Sequence, residues 1–335
     1  MSKRAFLSSL ALSFVFAMGA CAQTNKTLTP VSINKSNVNA LSTIKASAST
    51  ITVATYNVEN LFDGVQNPGG EKETAKPKKE LEALARDIKD MNADVIAFVE
   101  VESKETLKNF FLDKYLPGNN YEVVLVKGND GRGINVAVAT KIPVLNVVSH
   151  KDLTFPAPEI NKQIQFSRDL IQVEMKTANG YPFTMFVSHL KSKLGNAVES
   201  DSKRKAEATA IEGVVTQYQE ANPKVNFVVC GDFNDTPESV ALKPLLKPSA
   251  GVQLTDIIGK DLGLGKDIYT YHPQKFRGRI DYILVSPGMM NEYVPKSVEI
   301  KKEIANATSE EIKASYLNAS DHLPAIVKFD TSVDK

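Results

Sequence analysis

A sheet-rich α/β sandwich held in one domain is the fold class this chain predicts, on three observations. From Ile51 onward, short β-branched or apolar runs alternate with amphipathic stretches. The runs of strand type outnumber those of helix type. No shift of composition and no linker interrupts residues 51–331, and no internal repeat divides them. With 335 residues, 42% of them hydrophobic and 24% charged, the chain can bury a sizeable core, which excludes wholesale disorder and a fibrous repeat.

The N-terminus carries a different signal. Lys3 and Arg4 precede an apolar stretch from Ala5 to Ala17, too short to span a bilayer but matched to the apolar region of a secretory signal. Residues 1–22 are expected to be that signal peptide. Met18-Gly19-Ala20-Cys21 reads as a lipoprotein box with lipidation at Cys21, the preferred reading, whereas Ala20-Cys21-Ala22 before Gln23 also fits a small-x-small cleavage site. The expected location is therefore the cell envelope, as an exported lipoprotein, with a periplasmic or secreted protein as the alternative. Residues 23–50 hold Thr, Ser, Asn, Lys and Ala with few large apolar groups, so they predict a flexible linker.

Ile51-Thr52-Val53-Ala54-Thr55-Tyr56-Asn57-Val58 opens the domain as a buried strand. Leu81, Leu84, Ala85, Ile88 and Met91 recur at helical spacing, and Asp94–Val99 follows as the next core strand. Further strands are predicted at Tyr121–Lys127, Ile134–Thr140, Ile164–Met175, Phe183–Ser188, Val225–Cys230, Ile280–Val285 and Leu323–Phe329, with helices near Thr106–Tyr115 and Ala206–Tyr218. The two cysteines, Cys21 and Cys230, form no disulfide framework, so packing must hold the core.

Polar residues gather where these strands end: Asn57, Glu100, His189, Asp232 with Asn234, Asp281, and Asp321 with His322. Taken singly, an Asp after a strand is usually a turn or cap residue, and a lone His such as His150 is usually structural. Two segments say more. Gly231-Asp232-Phe233-Asn234 follows a wholly apolar strand, and alternation puts the oxygens of Asp232 and Asn234 on one side with Phe233 packed away. Ser320-Asp321-His322 joins a carboxylate to a near-neutral base. Hard oxygen donors without a Cys cluster point to Mg²⁺, Mn²⁺ or Ca²⁺ and not to Zn²⁺. The loop Gly128-Asn129-Asp130-Gly131-Arg132-Gly133 precedes a strand and lacks a Gly-Lys-Ser/Thr ending, so it predicts a hairpin turn whose Arg132 reaches toward a phosphate.

In this order, the segments resemble the endonuclease/exonuclease/phosphatase superfamily, which includes pancreatic-type deoxyribonucleases, bacterial sphingomyelinases and inositol polyphosphate 5-phosphatases. The segments are Thr55–Asp63, Phe98-Val99-Glu100-Val101, Ser188-His189-Leu190-Lys191-Ser192, Gly231-Asp232-Phe233-Asn234, Arg279-Ile280-Asp281-Tyr282 and Ser320-Asp321-His322. The resemblance implies a four-layer α/β/β/α sandwich of the deoxyribonuclease I type with its site at one edge of the paired sheets. It implies Glu100 as the main metal carboxylate, with Asn57 and Asp321 beside it. His322 then activates water, Asp281 holds its ring, Asp232 and Asn234 orient the nucleophile and bind phosphate, and His189 contacts the scissile phosphate or assists the leaving group. Asp235-Thr236 after Asn234 and Tyr282 after Asp281 depart from the 5-phosphatase pattern. No acid partner for His189 can be named at Arg132-Gly133-Ile134-Asn135.

The function expected is a metal-dependent phosphodiester hydrolase, an exported or surface-tethered endonuclease. The alternatives are a phosphomonoesterase or a sphingomyelinase- or phospholipase C-like enzyme, and a binding protein whose site has decayed. Forty Lys+Arg against 39 Asp+Glu exclude a global basic field. Nucleic acid as substrate therefore rests on local cations: Lys191, Lys193, Lys203, Arg204 and Lys205, with Lys275, Arg277 and Arg279 near Asp281. Arg132 and Arg279 are the expected substrate-binding arginines. The expected partners are nucleic acid and, through the lipid anchor, a membrane; no protein partner is evident and a monomer is expected.

Overall fold

Strand β1 (Thr50–Leu61) sends Ile51 and Val53 into one apolar cluster and Ala54 and Tyr56 into another, because successive side chains of a strand face opposite ways. Its neighbour β2 (Val95–Val101) divides in the same way, Val95 and Ala97 to one side and Ile96 and Phe98 to the other. Both faces are thus buried, which is why these strands read as nearly unbroken apolar runs. The computed structural model describes residues 49–65, 73–273, 275–303 and 315–332. The expected signal peptide, Cys21 and the linker as far as residue 48 lie outside them.

Two six-stranded sheets stack face to face. With β3 Glu122–Leu125, β4 Asn135–Thr140, β13 Glu299–Ile300 and β14 Ala325–Asp330, the first runs β13-β14-β1-β2-β4-β3. With β5 Val144–Ser149, β8 Leu170–Lys176, β9 Pro182–His189, β10 Phe227–Asp232, β11 Thr255–Asp256 and β12 Asp281–Val285, the second runs β11-β12-β10-β9-β8-β5. Val53, Val138, Val173 and Val228 meet in the core between them. Helix α1 (Lys78–Met91) covers the first sheet through Leu81, Leu84 and Ile88, and α3 (Ala197–Ala221) covers the second through Ala208, Ile211 and Val215. The four-layer α/β/β/α sandwich expected from the sequence is the architecture observed.

Each half contains one parallel pair joined by a helix. β1 and β2 pair in parallel across α1, and β9 and β10 across α3, so all four strands end at the same edge. Gly231 lets the second pair close. It has φ +134°, and a Cβ there would lie 1.9 Å from the carbonyl oxygen of Ser188.

Some boundaries differ from expectation for physical reasons. The strand expected over Ile164–Met175 is broken: the short β7 (Lys162–Ile164) ends there and β8 starts at Leu170, because Arg168 and Asp169 between them are buried in polar contacts instead of ladder pairs. β5, an edge strand with a mixed polar and apolar pattern, was not expected at all. Helix α3 extends beyond the expected Ala206–Tyr218 at both ends, because Asn196 caps it on Glu199 N and its first turns bury Ser200, Ser202 and Arg204, which no apolar pattern betrays. The helix expected near Thr106–Tyr115 is a π-helical turn (Thr106–Leu112) running into the short α2 (Asp113–Tyr115). The loop 128–133 joins antiparallel β3 and β4, the hairpin expected of it.

Candidate active site

The ladder of the second sheet sets three functional side chains in a row. Asp232, the last residue of β10, pairs with His189 at the end of β9 on one side and with Asp281 at the start of β12 on the other. The first sheet contributes through irregularity. Register shifts between Asn57 and Leu61 and between Val99 and Val101 leave Glu59, Asn60 and Glu100 at positive φ (49°, 54° and 67°). For residues with a Cβ such backbone is strained and needs outside support. Asn60 N donates to Glu100 Oε2 (3.0 Å), Glu59 N to Asn57 Oδ1 (3.0 Å), and buried Lys76 Nζ to Glu59 O (3.0 Å). Helix α6 (Ser315–Ala319) leads into the last segment. There Ser320 Oγ donates to Asn57 O (2.8 Å) and Asp321 N to Glu59 Oε2 (2.8 Å).

These devices converge on one buried polar centre. His322 Nδ1 is 2.8 Å from Asp281 Oδ2, and its Nε2 lies 3.3 Å from Asn57 Nδ2, 3.7 Å from Asp232 Oδ2 and 3.9 Å from Asp321 Oδ1. Asn57 Nδ2 donates to Asp232 Oδ2 (3.1 Å). His189 Nε2 is 3.5 Å from Asp232 Oδ2 and 4.0 Å from Glu100 Oε1. Asn234 sits at the rim, its N donating to Asp232 Oδ1 (2.8 Å) and its Nδ2 to Leu190 O (3.0 Å). Phe233 points away and stacks on Tyr282, ring centroids 5.0 Å apart. Asn57, Glu100, His189, Asp232, Asn234, Asp281, Asp321 and His322 therefore share one site.

Burial and charge set the protonation of this centre. Burial opposes the His322 imidazolium, but the carboxylates of Asp281, Asp232 and Asp321 outweigh it and lift the ring to about 10. The three carboxylates thus favour the protonated ring. Asp232 is raised to about 7 by burial and by the charge of Asp281, and Asp321 to about 6 by burial with Glu59 and Glu100 adding to it against His322. His189 is held well below its ordinary value by burial, with Arg168, His322 and Arg132 adding to it, so it is neutral. Its Nδ1 is buried without a hydrogen-bond partner among the described residues. Asn135, in the segment where an acid was sought, spends its amide on Gly133, Val101 and Glu102 carbonyls.

A divalent cation fits this donor set. The ligand atoms of Asp232, Asp281 and His322 lie within 4.8 Å of one another, and Asp281 Oδ1 is buried without a hydrogen-bond partner among the described residues; with His322 and Asp281 joined to each other, Asp232, Glu100 and Asp321 are the carboxylates left to hold an ion.

The expected substrate-binding arginines fare differently. Arg132 is half exposed at the hairpin tip, 3.7 Å from Asp130. The assignment of Arg279 to substrate is corrected: it is buried, grips both oxygens of Asp256 (3.0 and 2.5 Å) and lies over the Tyr282 ring. Most of the remaining rim cations are also spent. Lys193 pairs with Asp235 (2.6 Å), Lys203 with Glu199 (3.0 Å) and Lys205 with Glu159 (2.5 Å), and Arg204 is fully buried against Asp235 (3.0 Å). Lys275 and Arg277 are exposed without a carboxylate partner among the described residues.

Sequence reasoning missed several supporting residues. Arg168 lies beside His189, 3.0 Å from Asp130, with Nη1 donating to Leu190 O (3.2 Å); a charged Arg168-Asp169 pair in a supposed strand was the available signal. Arg204 and Glu207 on α3 hold Lys191 from both sides, Arg204 Nη1 donating to Lys191 O (2.8 Å) and Lys191 N to Glu207 Oε2 (2.6 Å). Thr270 Oγ1 accepts from Ile280 N and Asp281 N (3.1 and 3.0 Å). His272 Nε2 lies 2.8 Å from Ser320 O, a structural contact.

Comparison with known proteins agrees with this geometry. The model of the Endonuclease/Exonuclease/phosphatase family matches residues 52–306. Among solved structures, the human Nocturnin catalytic domain with bound sulfate superposes at a TM-score of 0.57 with 17% identity, over 84% of this chain and 95% of that one. An endonuclease/exonuclease/phosphatase from Bacteroides vulgatus gives 0.55 and 20%, over 83% and 98%. A mannosyl-6-phosphatase from Bacteroides thetaiotaomicron gives 0.55 and 18%, over 83% and 98%. At these identities the likeness is one of fold. No curated protein matches the sequence.

Proposed function

Because the chain belongs to the endonuclease/exonuclease/phosphatase family, whose members hydrolyse phosphoric esters, we propose that it is a divalent-metal-dependent phosphodiesterase acting by in-line attack of water on phosphorus. The observation that carries this reading is the buried dyad of His322 and Asp281 at 2.8 Å, facing Asp232, Asn57 and Asp321 at the edge where both sheets end. Glu100 and Asp321, with Asn57 and Asp232 adjoining, would hold Mg²⁺ or Mn²⁺, which when bound would offset charge growing on the phosphoryl oxygens.

The chain's own residues supply the proton chemistry. Asp281 fixes the His322 ring with Nε2 turned to the centre, where it takes the proton of the attacking water. Neutral His189 presents Nε2 beside Asp232 and Glu100, placed to donate to a phosphoryl oxygen. Asn234 is fixed through Leu190 O, leaving its amide oxygen to orient the nucleophile.

Within that reading, we favour an exported endonuclease, tethered through lipid at Cys21. The ion-paired rim limits how many backbone phosphates such an enzyme can grip, so weak, sequence-tolerant binding with a shallow salt dependence is expected. The same rim supports a second reading, a phosphatase or diesterase of small esters. Parallel assays on plasmid DNA, RNA, sphingomyelin and phosphomonoesters separate them. Intact DNA and RNA, under metal conditions where another ester is cleaved, would end the nuclease reading.

A further inference from the structure

We propose that Tyr271 and Phe276 form a stacking subsite for a nucleobase carried by the substrate, an inference that rests on the phosphodiesterase reading and names the non-reacting part of the ester. Tyr271 and Gly278 close a short hairpin, each donating its N–H to the other's carbonyl (3.0 and 3.1 Å). Tyr271 also bridges to His322, and its ring stands edge-on to the imidazole with centroids 5.0 Å apart. Phe276 follows at 6.0 Å from the Tyr271 ring and is 43% exposed.

The exposed ring is held in place. A Cβ at position 278 would come within 2.9 Å of Phe276 Cζ, so the glycine leaves room for the ring to lie against the hairpin. Lys193 Nζ, paired to Asp235, lies 6.0 Å from the ring centroid. The two rings thus run in series from the His322 imidazole out to an exposed face. An apolar ring left in water beside a polar site is ready to cover a flat, weakly hydrated partner, and a nucleobase offers a π-face whatever its sequence. With most rim cations already paired, stacking is the attraction left to select a nucleotide ester over a sugar phosphate.

The test is calorimetric titration of the full chain, with Mg²⁺ present, using thymidine 5′-monophosphate and 2-deoxyribose 5-phosphate as the matched pair. The protein should bind the nucleotide about tenfold more tightly, the scale of one stacked base. Phe276→Ala, and Gly278→Ala, which displaces the ring, should bring the ratio close to one, and Phe276→Trp should restore it. Equal affinities in the unaltered protein, or a preference that survives Phe276→Ala, would overturn the subsite. Hydrolysis of bis(p-nitrophenyl) phosphate reports separately on the reaction: a nucleotide preference without hydrolysis upholds the subsite and removes the phosphodiesterase reading, and the reverse result removes the subsite alone.

Discussion

His322 and Asp281 stand 2.8 Å apart with both side chains buried, so each fixes the other's orientation. His322→Ala should lower kcat by about 10²–10⁴-fold with little change in KM, because a proton acceptor acts chiefly in the transition state. Asp281→Asn should do the same less severely. In the double variant the losses should fall well short of the product of the single ones; independent losses would show that the two do not work as a unit. Most of the residues at the centre were legible because they are polar groups set in or beside apolar strand runs, as at Cys230-Gly231-Asp232. Arg279 was not. A cation two residues before Asp281 looks the same in sequence whether it meets a phosphate or, as here, Asp256, and only the fold brings residues 256 and 279 together. The proton load of His322 was equally hidden, because it depends on three carboxylates from separate elements.

Helix α3 works as a clamp as well as a cover. Arg204 joins Lys191 O to Asp235, and Glu207 accepts from Lys191 N and Ser167 N (2.7 Å), so two buried charges on one helix fix the loops that carry His189, Asn234 and Arg168. Arg204→Lys keeps a charge but cannot reproduce the planar fork. We expect it to lower kcat at least tenfold in protein that circular dichroism shows to be folded, whereas Lys203→Ala one residue away should leave kcat within about twofold. Equal effects at the two positions would refute the clamp. At the β9/β10 junction, Gly231→Ala forces a methyl into the Ser188 carbonyl and should cost on the order of 3 kcal/mol, read from the denaturant midpoint. The core strands and α1 were legible from their apolar runs and periodicity, whereas the edge strand β5 was not. The first turns of α3 were not, because its inward face there is Ser200, Ser202 and Arg204, a polar pattern shared with solvated helices.

For the whole molecule, the first sheet's share of the site is tied to the outer helical layer through Asp87. Its carboxylate accepts from Tyr56 Oη (3.0 Å) in β1 and Ser315 Oγ (2.9 Å) in α6, the elements that carry Asn57 and lead to His322. Burial pushes Asp87 up to about 7, against those two donors. Between 3.8 and about 7 the folded state holds a proton that the unfolded chain has released, so this contribution to stability is full at low pH and fades as pH rises through that window. Asp87→Asn should flatten that part of the stability profile, as followed by urea unfolding at several pH values; an unchanged slope would assign it elsewhere. The paired layers and the edge location of the site were legible only through the family resemblance, since apolar runs mark strands without saying which sheet each joins. Lipid on Cys21 is expected in the mature protein by mass spectrometry, and an unmodified N-terminus at Gln23 would establish soluble export instead. The central claim, metal-dependent ester hydrolysis at this centre, is tested most directly by the rate of bis(p-nitrophenyl) phosphate hydrolysis after exhaustive chelation and again after Mg²⁺ or Mn²⁺ is restored. The unaltered protein should lose activity on chelation and regain it with metal, while Glu100→Gln, folded to the same degree, should stay inactive in both. A full rate from protein shown by elemental analysis to hold no metal, or full activity in Glu100→Gln, would contradict it.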